Sequence, residues 1–497
     1  MNSDRVFWIG VLLACIVGFG LRCYGIWENE FWTDELVAIR TSHTMGSIGD
    51  HCFQRFSSPP LRYLLTWVFL DYFHEDRLIR IPSLVAGTLA ILLTALLARR
   101  WFGNGAGFWA SWAVSLNPWM IAYSQDGRMH IVAMFFFLCS IYLAIPLPTR
   151  WKRLTLFLGG FCLALSSAIT YAAVIVCFGG LLVVMLESLG PSRKEWAVDV
   201  LTFTAPWGVW MFSWLALLWV MTSPIWQPPP PPPEENPIEV TQTVDSEPES
   251  TIDPLPPPPR RPMPLFNPYF YRESIANIWD DQPLKILFLL GTLLFVIGKG
   301  TFQSPGRGSR FALFAIPILL ILILQPHQFY RRYLLSLLPF PLIGIGILGT
   351  FFDRKLLGTL VFGLALAAMS LHPTYWVLTH SPQPWKSATE YLEENVKPGD
   401  HLMMGSHQAE FAASYYMVGK VPTWDIVYYS MVEGKFMEMT KKRGTSWFVQ
   451  WFGISPQLEQ RILEFYDKVE VYPGRFGQIV VFKEKDSVEE ETAEDDE

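Results

Sequence analysis

Four short stretches hold most of the side chains whose type and spacing suit chemistry. Asp34 and Glu35 are adjacent carboxylates just beyond a long apolar run, and a carboxylate suits removal of a proton from a hydroxyl nucleophile. Arg62 lies at the start of a short apolar segment, Asp126 and Arg128 flank a glycine, and the turn His327-Gln328-Phe329-Tyr330-Arg331-Arg332-Tyr333 carries two further arginines. Guanidinium forks match phosphate oxygens, and a phosphate beside a membrane belongs to a lipid. Ionisable groups at a membrane boundary mark functional sites, although a carboxylate pair there can equally mark the water line and arginines can snorkel to headgroups. His327 and Glu35 together would offer a metal only two ligands, a poor cage.

The elements that position these groups are membrane spans. Of 497 residues, 51% are hydrophobic and 17% charged, with 21 Trp and 36 Phe, a composition of integral membrane proteins. Residues 7–26 form a retained first span, and residues 61–73 are too short to cross, so they read as a helix lying in the interface. Residues 78–98 span next and end at Arg99-Arg100, which the positive-inside rule places in the cytoplasm. Spans follow at 107–123, 129–147, 154–168, 171–187, 201–222 and 284–298, with further spans up to about residue 372. The predicted fold is an α-helical polytopic membrane protein of about eleven spans, with Asp34, Arg62, Asp126 and Arg331 all on the outer side.

Two soluble outer pieces interrupt this pattern. Residues 223–283 contain the runs Pro228 to Pro233 and Pro256 to Pro259, the composition of a polyproline spacer or disordered loop. Residues 382–485 combine a helical stretch around Glu390–Asn395 with strand-like runs at 447–449 and 478–482, which predicts a small extracytoplasmic α/β domain. The tail 486–497 is acidic and is expected to be disordered. The domain reading is therefore 1–222, 223–283, 284–372, 382–485 and 486–497. The six cysteines show no metal-ligand spacing, and no basic stripe interleaved with aromatics points to nucleic acid. Gly103-Asn104-Gly105-Ala106-Gly107 lies between two spans without a preceding strand, so it reads as a tight turn and not as a nucleotide loop.

In order along the chain, Trp32-Thr33-Asp34-Glu35, Ser58-Pro59-Pro60-Leu61-Arg62-Tyr63, Arg80-Ile81-Pro82-Ser83, Tyr123-Ser124-Gln125-Asp126-Gly127-Arg128-Met129 and Tyr330-Arg331-Arg332-Tyr333-Leu334-Leu335 resemble the membrane glycosyltransferases of the GT-C fold that use polyprenyl-phosphate sugars. The similar group contains protein O-mannosyltransferases and the aminoarabinose transferases of lipid A, of bacterial type. The likeness is strongest over residues 5–150. It departs from the family at Ser58, where a histidine is usual, and at Asp126-Gly127.

The resemblance implies inverting transfer of a sugar from a polyprenyl-phosphate donor to a hydroxyl of a protein, lipid or glycan, outside the plasma membrane. It implies Asp34 as general base, with Glu35 tuning it or holding the acceptor. Arg62, Arg128, Arg331 and Arg332 would serve the donor phosphate, with Asp126, His327, Tyr330 and Tyr333 in support. No metal or other cofactor is required by this scheme, since the leaving phosphate is already a stable anion. The rival is a carrier or flippase for a lipid-linked sugar. Such a carrier would place its ionisable groups at mid-membrane and show repeated halves, and neither pattern is present here.

Overall fold

A computed structural model describes residues 3–44, 60–144, 151–170, 173–174, 176–180, 193–222, 282–301, 306–324, 335–352, 356–404, 412–417, 420, 424–426, 446–451, 456–475 and 477–485. Apolar residues with few breakers, and in α2 a mostly polar stretch, build the helices α1 (Ser3–Cys23), α2 (Thr33–Thr44), α3 (Pro60–Phe73), α4 (Ile81–Phe102), α5 (Asn104–Leu116), α6 (Pro118–Ser124), α7 (His130–Ala144), α8 (Lys152–Ile169) and α9 (Arg193–Thr222). Later come α10 (Gln282–Ile297), α11 (Arg307–Leu324), α12 (Pro339–Thr350) and α13 (Leu356–Thr379). Four stretches are long and apolar enough to cross a membrane by length and composition: Asp4–Cys23, Asp76–Phe102, Lys152–Ile169 and Leu356–Thr379. On α1, Ile9, Leu12 and Ile16 are exposed, as are Leu356, Leu360 and Leu364 on α13. Faces this apolar are stable against lipid and a liability in water.

Small residues let the helices approach closely. A Cβ on Gly344 of α12 would lie 1.7 Å from the Gly291 carbonyl oxygen of α10, so the two backbones touch at this crossing and neither glycine can be replaced without separating them.

The stretch 107–123, expected as one span, is two helices. Asn117 leaves the helical conformation, its side chain accepts the Met120 N–H at 3.0 Å, and Pro118 starts α6. An Asn N-cap followed by proline at the first helical position is a helix-start signal that continuous hydropathy hides.

The C-terminal part carries α14 (Trp385–Asn395), α15 (Pro456–Phe465) and five strands, β1 (Leu402–Met404), β2 (Trp424–Ile426), β3 (Trp447–Trp451), β4 (Tyr466–Gly474) and β5 (Gly477–Glu484). The strand order is β2-β1-β3-β5-β4. β1 runs parallel to β2 and β3, while β5 is antiparallel to β3 and β4. Trp385, Ala388, Thr389 and Leu392 form the buried face of α14, at the spacing of an amphipathic helix. The core of this domain is continuous with the first loop: Phe31, Leu36, Ile39, Leu70 and Ile79 pack in one cluster with Trp385, Leu392, Leu402 and Val481. The segment that leads into α2 and carries Asp34 thus packs against the sheet domain.

Candidate active site

Helix α2 begins at the two carboxylates. Glu35, three residues after the N-cap position Trp32, accepts the Trp32 N–H through Oε2 at 2.9 Å, one half of a capping box. Successive helical residues point about 100° apart, so Asp34 and Glu35 face different surroundings.

Glu35 faces inward, with 1% of its side chain exposed, against Arg80, which is fully buried. Arg80 Nε and Nη2 donate to the two carboxylate oxygens at 2.9 Å each. Its remaining donors reach the carbonyls of Ile26, Asn29 and Glu30, and its guanidinium lies 4.8 Å from the Phe31 ring centroid. Gly127 N–H completes the set, donating to Glu35 Oε1 at 2.7 Å. A Cβ at Gly127 would lie 2.7 Å from Ile79 Cγ1 and 3.1 Å from that same oxygen, so this close approach requires glycine. A buried ion pair is tolerated only when every lone pair and proton is satisfied, as here.

Asp34 faces outward, with 27% of its side chain exposed, and its Oδ2 accepts Arg128 Nη1 at 2.8 Å. The Arg128 side chain is fully buried, and Asp126 holds it through Nε and Nη2 while also accepting the Arg128 N–H. The guanidinium stacks 3.2 Å from the Trp32 ring centroid. Burial works to strip its proton, but Asp126 and Asp34 more than offset this and hold its proton affinity above the usual arginine range. Arg128 is a fixed cation aimed at Asp34. Directly after it, Met129 is buried with φ 60°, a left-handed conformation that costs a non-glycine residue about 1–2 kcal/mol and here turns the chain from Arg128 into α7. Arg62, on the first turn of α3, donates through Nη2 to the Asp34 carbonyl at 3.1 Å.

Leu61 and Leu64, flanking Arg62 on α3, line an open groove of about 680 Å³ shared with Phe161 and Ala168 of α8 and Pro206 and Trp210 of α9. Its wall is almost wholly apolar.

The sequence-predicted residues Asp34, Glu35, Arg62, Asp126 and Arg128 therefore come together. His327, Tyr330, Arg331, Arg332 and Tyr333 lie outside the described residues, as do the polyproline segment 223–281 and the tail 486–497. In the sequence, Arg80 has no role of its own beyond the stretch Arg80-Ile81-Pro82-Ser83 in the resemblance. A buried arginine at a span's mouth is itself a functional signal, and Arg80 proves to be the partner of Glu35. Three contacts from the sheet domain had no local signal: Gln383 accepts from Thr33 N and Oγ1 at 2.9 and 2.6 Å, and Tyr416 accepts the Phe31 N–H at 2.9 Å. Among the described residues, no group of three or more His, Cys, Asp or Glu side chains is placed to hold a metal ion.

No family model matches the chain, and no curated protein matches its sequence. Among solved structures it is similar to the archaeal oligosaccharyltransferase AglB of Archaeoglobus fulgidus in complex with an inhibitory peptide and a dolichol-phosphate, at 12% identity over 90% of this chain and 69% of that one, with a TM-score of 0.47. It is also similar to ArnT of Cupriavidus metallidurans bound to undecaprenyl phosphate, at 15% identity over 97% of this chain and 98% of that one, with a TM-score of 0.40.

Proposed function

We propose that the protein is an inverting glycosyltransferase that moves a sugar from a polyprenyl-phosphate donor to an acceptor hydroxyl at the outer membrane surface. The observation that carries the reading is the arrangement on α3, where Arg62 reaches the Asp34 backbone and the flanking Leu61 and Leu64 line an apolar groove. A polyprenyl-phosphate sugar has this shape: an anion with a sugar at one end and a long hydrocarbon tail at the other. Asp34, Arg62, Asp126 and Arg128 stand at helix ends, on the first turns of α2 and α3 and in the turn between α6 and α7, where a carrier would need its ionisable groups at mid-depth.

In this scheme Asp34 takes the proton of the acceptor hydroxyl, whose oxygen attacks the anomeric carbon from the side opposite the phosphate. The bond from that carbon to the phosphate oxygen breaks, and the electron pair leaves with the polyprenyl phosphate. Arg62 stabilises that charge, and Arg331 and Arg332 are assigned to it by their sequence context. One well-placed donor of this kind is worth about 10²–10³ in rate. Arg128, held by Asp126 and stacked on Trp32, orients the Asp34 carboxylate through Nη1, and Glu35 holds the loop. The leaving group is a stable anion, so no metal is called for.

The test is sugar transfer by purified protein with lipid, using a panel of polyprenyl-phosphate sugars and comparing wild type with Asp34→Asn. Donor consumption that disappears in the variant while donor binding persists supports the proposal. Binding without turnover in both proteins across the panel overturns it, and flipping in liposomes then becomes the assay.

A further inference from the structure

The sheet domain grips both halves of the Asp34–Arg128 pair. On one half, Gln383 and Tyr416 hold the backbone at Thr33 and Phe31, next to Asp34. On the other, Arg475, in the turn between β4 and β5, donates through Nη1 to Gln125 Oε1 at 3.0 Å. The Gln125 amide in turn donates to the carbonyls of Tyr24 at 2.7 Å and Arg22 at 3.2 Å, at the end of α1. Gln125 immediately precedes Asp126, and Asp126 holds Arg128 against Asp34. Arg475 Nε donates to the His380 carbonyl, and its backbone N–H donates to Ser381 O at 3.0 Å, so the turn is anchored where α13 hands over to α14.

Arg475 makes no ion pair among the described residues, and its Nη2 is buried without a hydrogen-bond partner. Burial and the facing Arg80 lower its proton affinity to about 9, while Glu35 and Asp126 work in the opposite direction, so it remains a cation at neutral pH. A hairpin needed only for docking does not require a guanidinium with a buried Nη2 left without a hydrogen-bond partner, which is costly to keep.

We infer that Arg475 is a positioning residue: through Gln125 it fixes the turn 125–128, so that the C-terminal domain sets how Arg128 meets Asp34. The inference rests on the glycosyltransferase reading only for its effect on rate. The mechanical part stands apart from it.

The experiment uses the full chain in lipid nanodiscs, with Arg475→Met, Arg475→Lys and Gln125→Leu. Gln125→Leu removes the acceptor of the same bond together with the amide's own bonds to the Tyr24 and Arg22 carbonyls and leaves the hairpin intact. It therefore tests the link from the turn to Asp34 where Arg475→Met fails to fold, while the contrast of Arg475→Met with Arg475→Lys isolates the part Arg475 plays. Hydrogen exchange of residues 125–129 is expected to quicken about tenfold or more in Arg475→Met and Gln125→Leu, and to return towards wild type in Arg475→Lys. In the transfer assay, kcat is expected to fall about 10- to 100-fold with donor KM changed less than about threefold. The acidic limb of the pH profile is expected to move to higher pH as Asp34 loses the Arg128 cation beside it. Unchanged exchange at 125–129 in both variants overturns the inference, whether or not any sugar is transferred. So does a kcat and pH profile like wild type in variants whose exchange has quickened, since the turn would then move without consequence for Asp34. A wild-type protein that transfers no sugar while the exchange changes as expected overturns only the glycosyltransferase reading.

Discussion

Asp34 and Glu35 are neighbours in sequence and opposites in surroundings. The Glu35 side chain is 1% exposed, with both oxygens taken up by Arg80, Trp32 and Gly127. Asp34 is 27% exposed and meets a cation that is itself held from behind by Asp126. The inner pole resembles a keystone: its ion pair ties the loop, the start of the second long helix and the turn at Gly127 together. The outer pole is partly exposed and oriented but not enclosed. Charge alone does not identify a catalytic carboxylate here, because both have an arginine. Accessibility and what stands behind the arginine separate them.

Substitutions at the inner pole are expected to give the largest effects on folding. Glu35→Gln leaves Arg80 buried without its counter-charge, and Arg80→Ala does the reverse. Each is expected to cost about 3–5 kcal/mol of stability, read as a collapse of monodisperse protein or of the unfolding midpoint. Arg128→Met acts at the outer pole. It is expected to lower transfer about 10²–10³-fold while the unfolding midpoint moves less than it does for Glu35→Gln. Equal losses of stability would erase the distinction between the poles.

Gly127→Ala probes the seam between the two. Its methyl group would press on Ile79 and Glu35, so a loss of about 1–3 kcal/mol is expected, accompanied by loss of rate because Arg128 is the next residue. The smallest effect concerns Glu30, in the segment before α2, whose carboxylate accepts from Lys386 N–H and Ser387 Oγ at the first turn of α14. Burial raises its proton affinity to about 7 from 4.5, against the opposing hydrogen bonds of Lys386 N–H and Ser387. The folded chain then binds this proton more tightly than the unfolded chain, so stability should fall as pH rises from about 4.5 to about 7. Glu30→Gln should flatten that slope in unfolding midpoints measured across the range, and an unchanged slope would place the titration elsewhere.

Much of the outer pole was legible in the sequence because its residues follow the ends of apolar runs, where hydropathy changes abruptly. Asp34, Arg62 and the Asp126/Arg128 pair stand at such edges, and the strands at 447–449 and 478–482 announce themselves by β-branched and aromatic residues. The inner pole was not legible. Arg80 looks like the flank of a span, and only a fold shows that its partner is Glu35, 45 residues earlier. The contacts of Gln383 and Arg475 cross 350 residues of chain, a distance at which no local period carries information. The break at Asn117 was masked for a different reason, since polar capping is invisible to a window that averages hydropathy.

The most direct measurement places Asp34→Asn beside Glu35→Gln and records sugar transfer and thermal unfolding for both. Asp34→Asn is expected to lose about 10²–10⁴ in transfer rate with its unfolding midpoint close to wild type, while Glu35→Gln loses its fold. Transfer at the wild-type rate in Asp34→Asn, or an unfolding loss there as large as in Glu35→Gln, would contradict the division of labour between the two carboxylates.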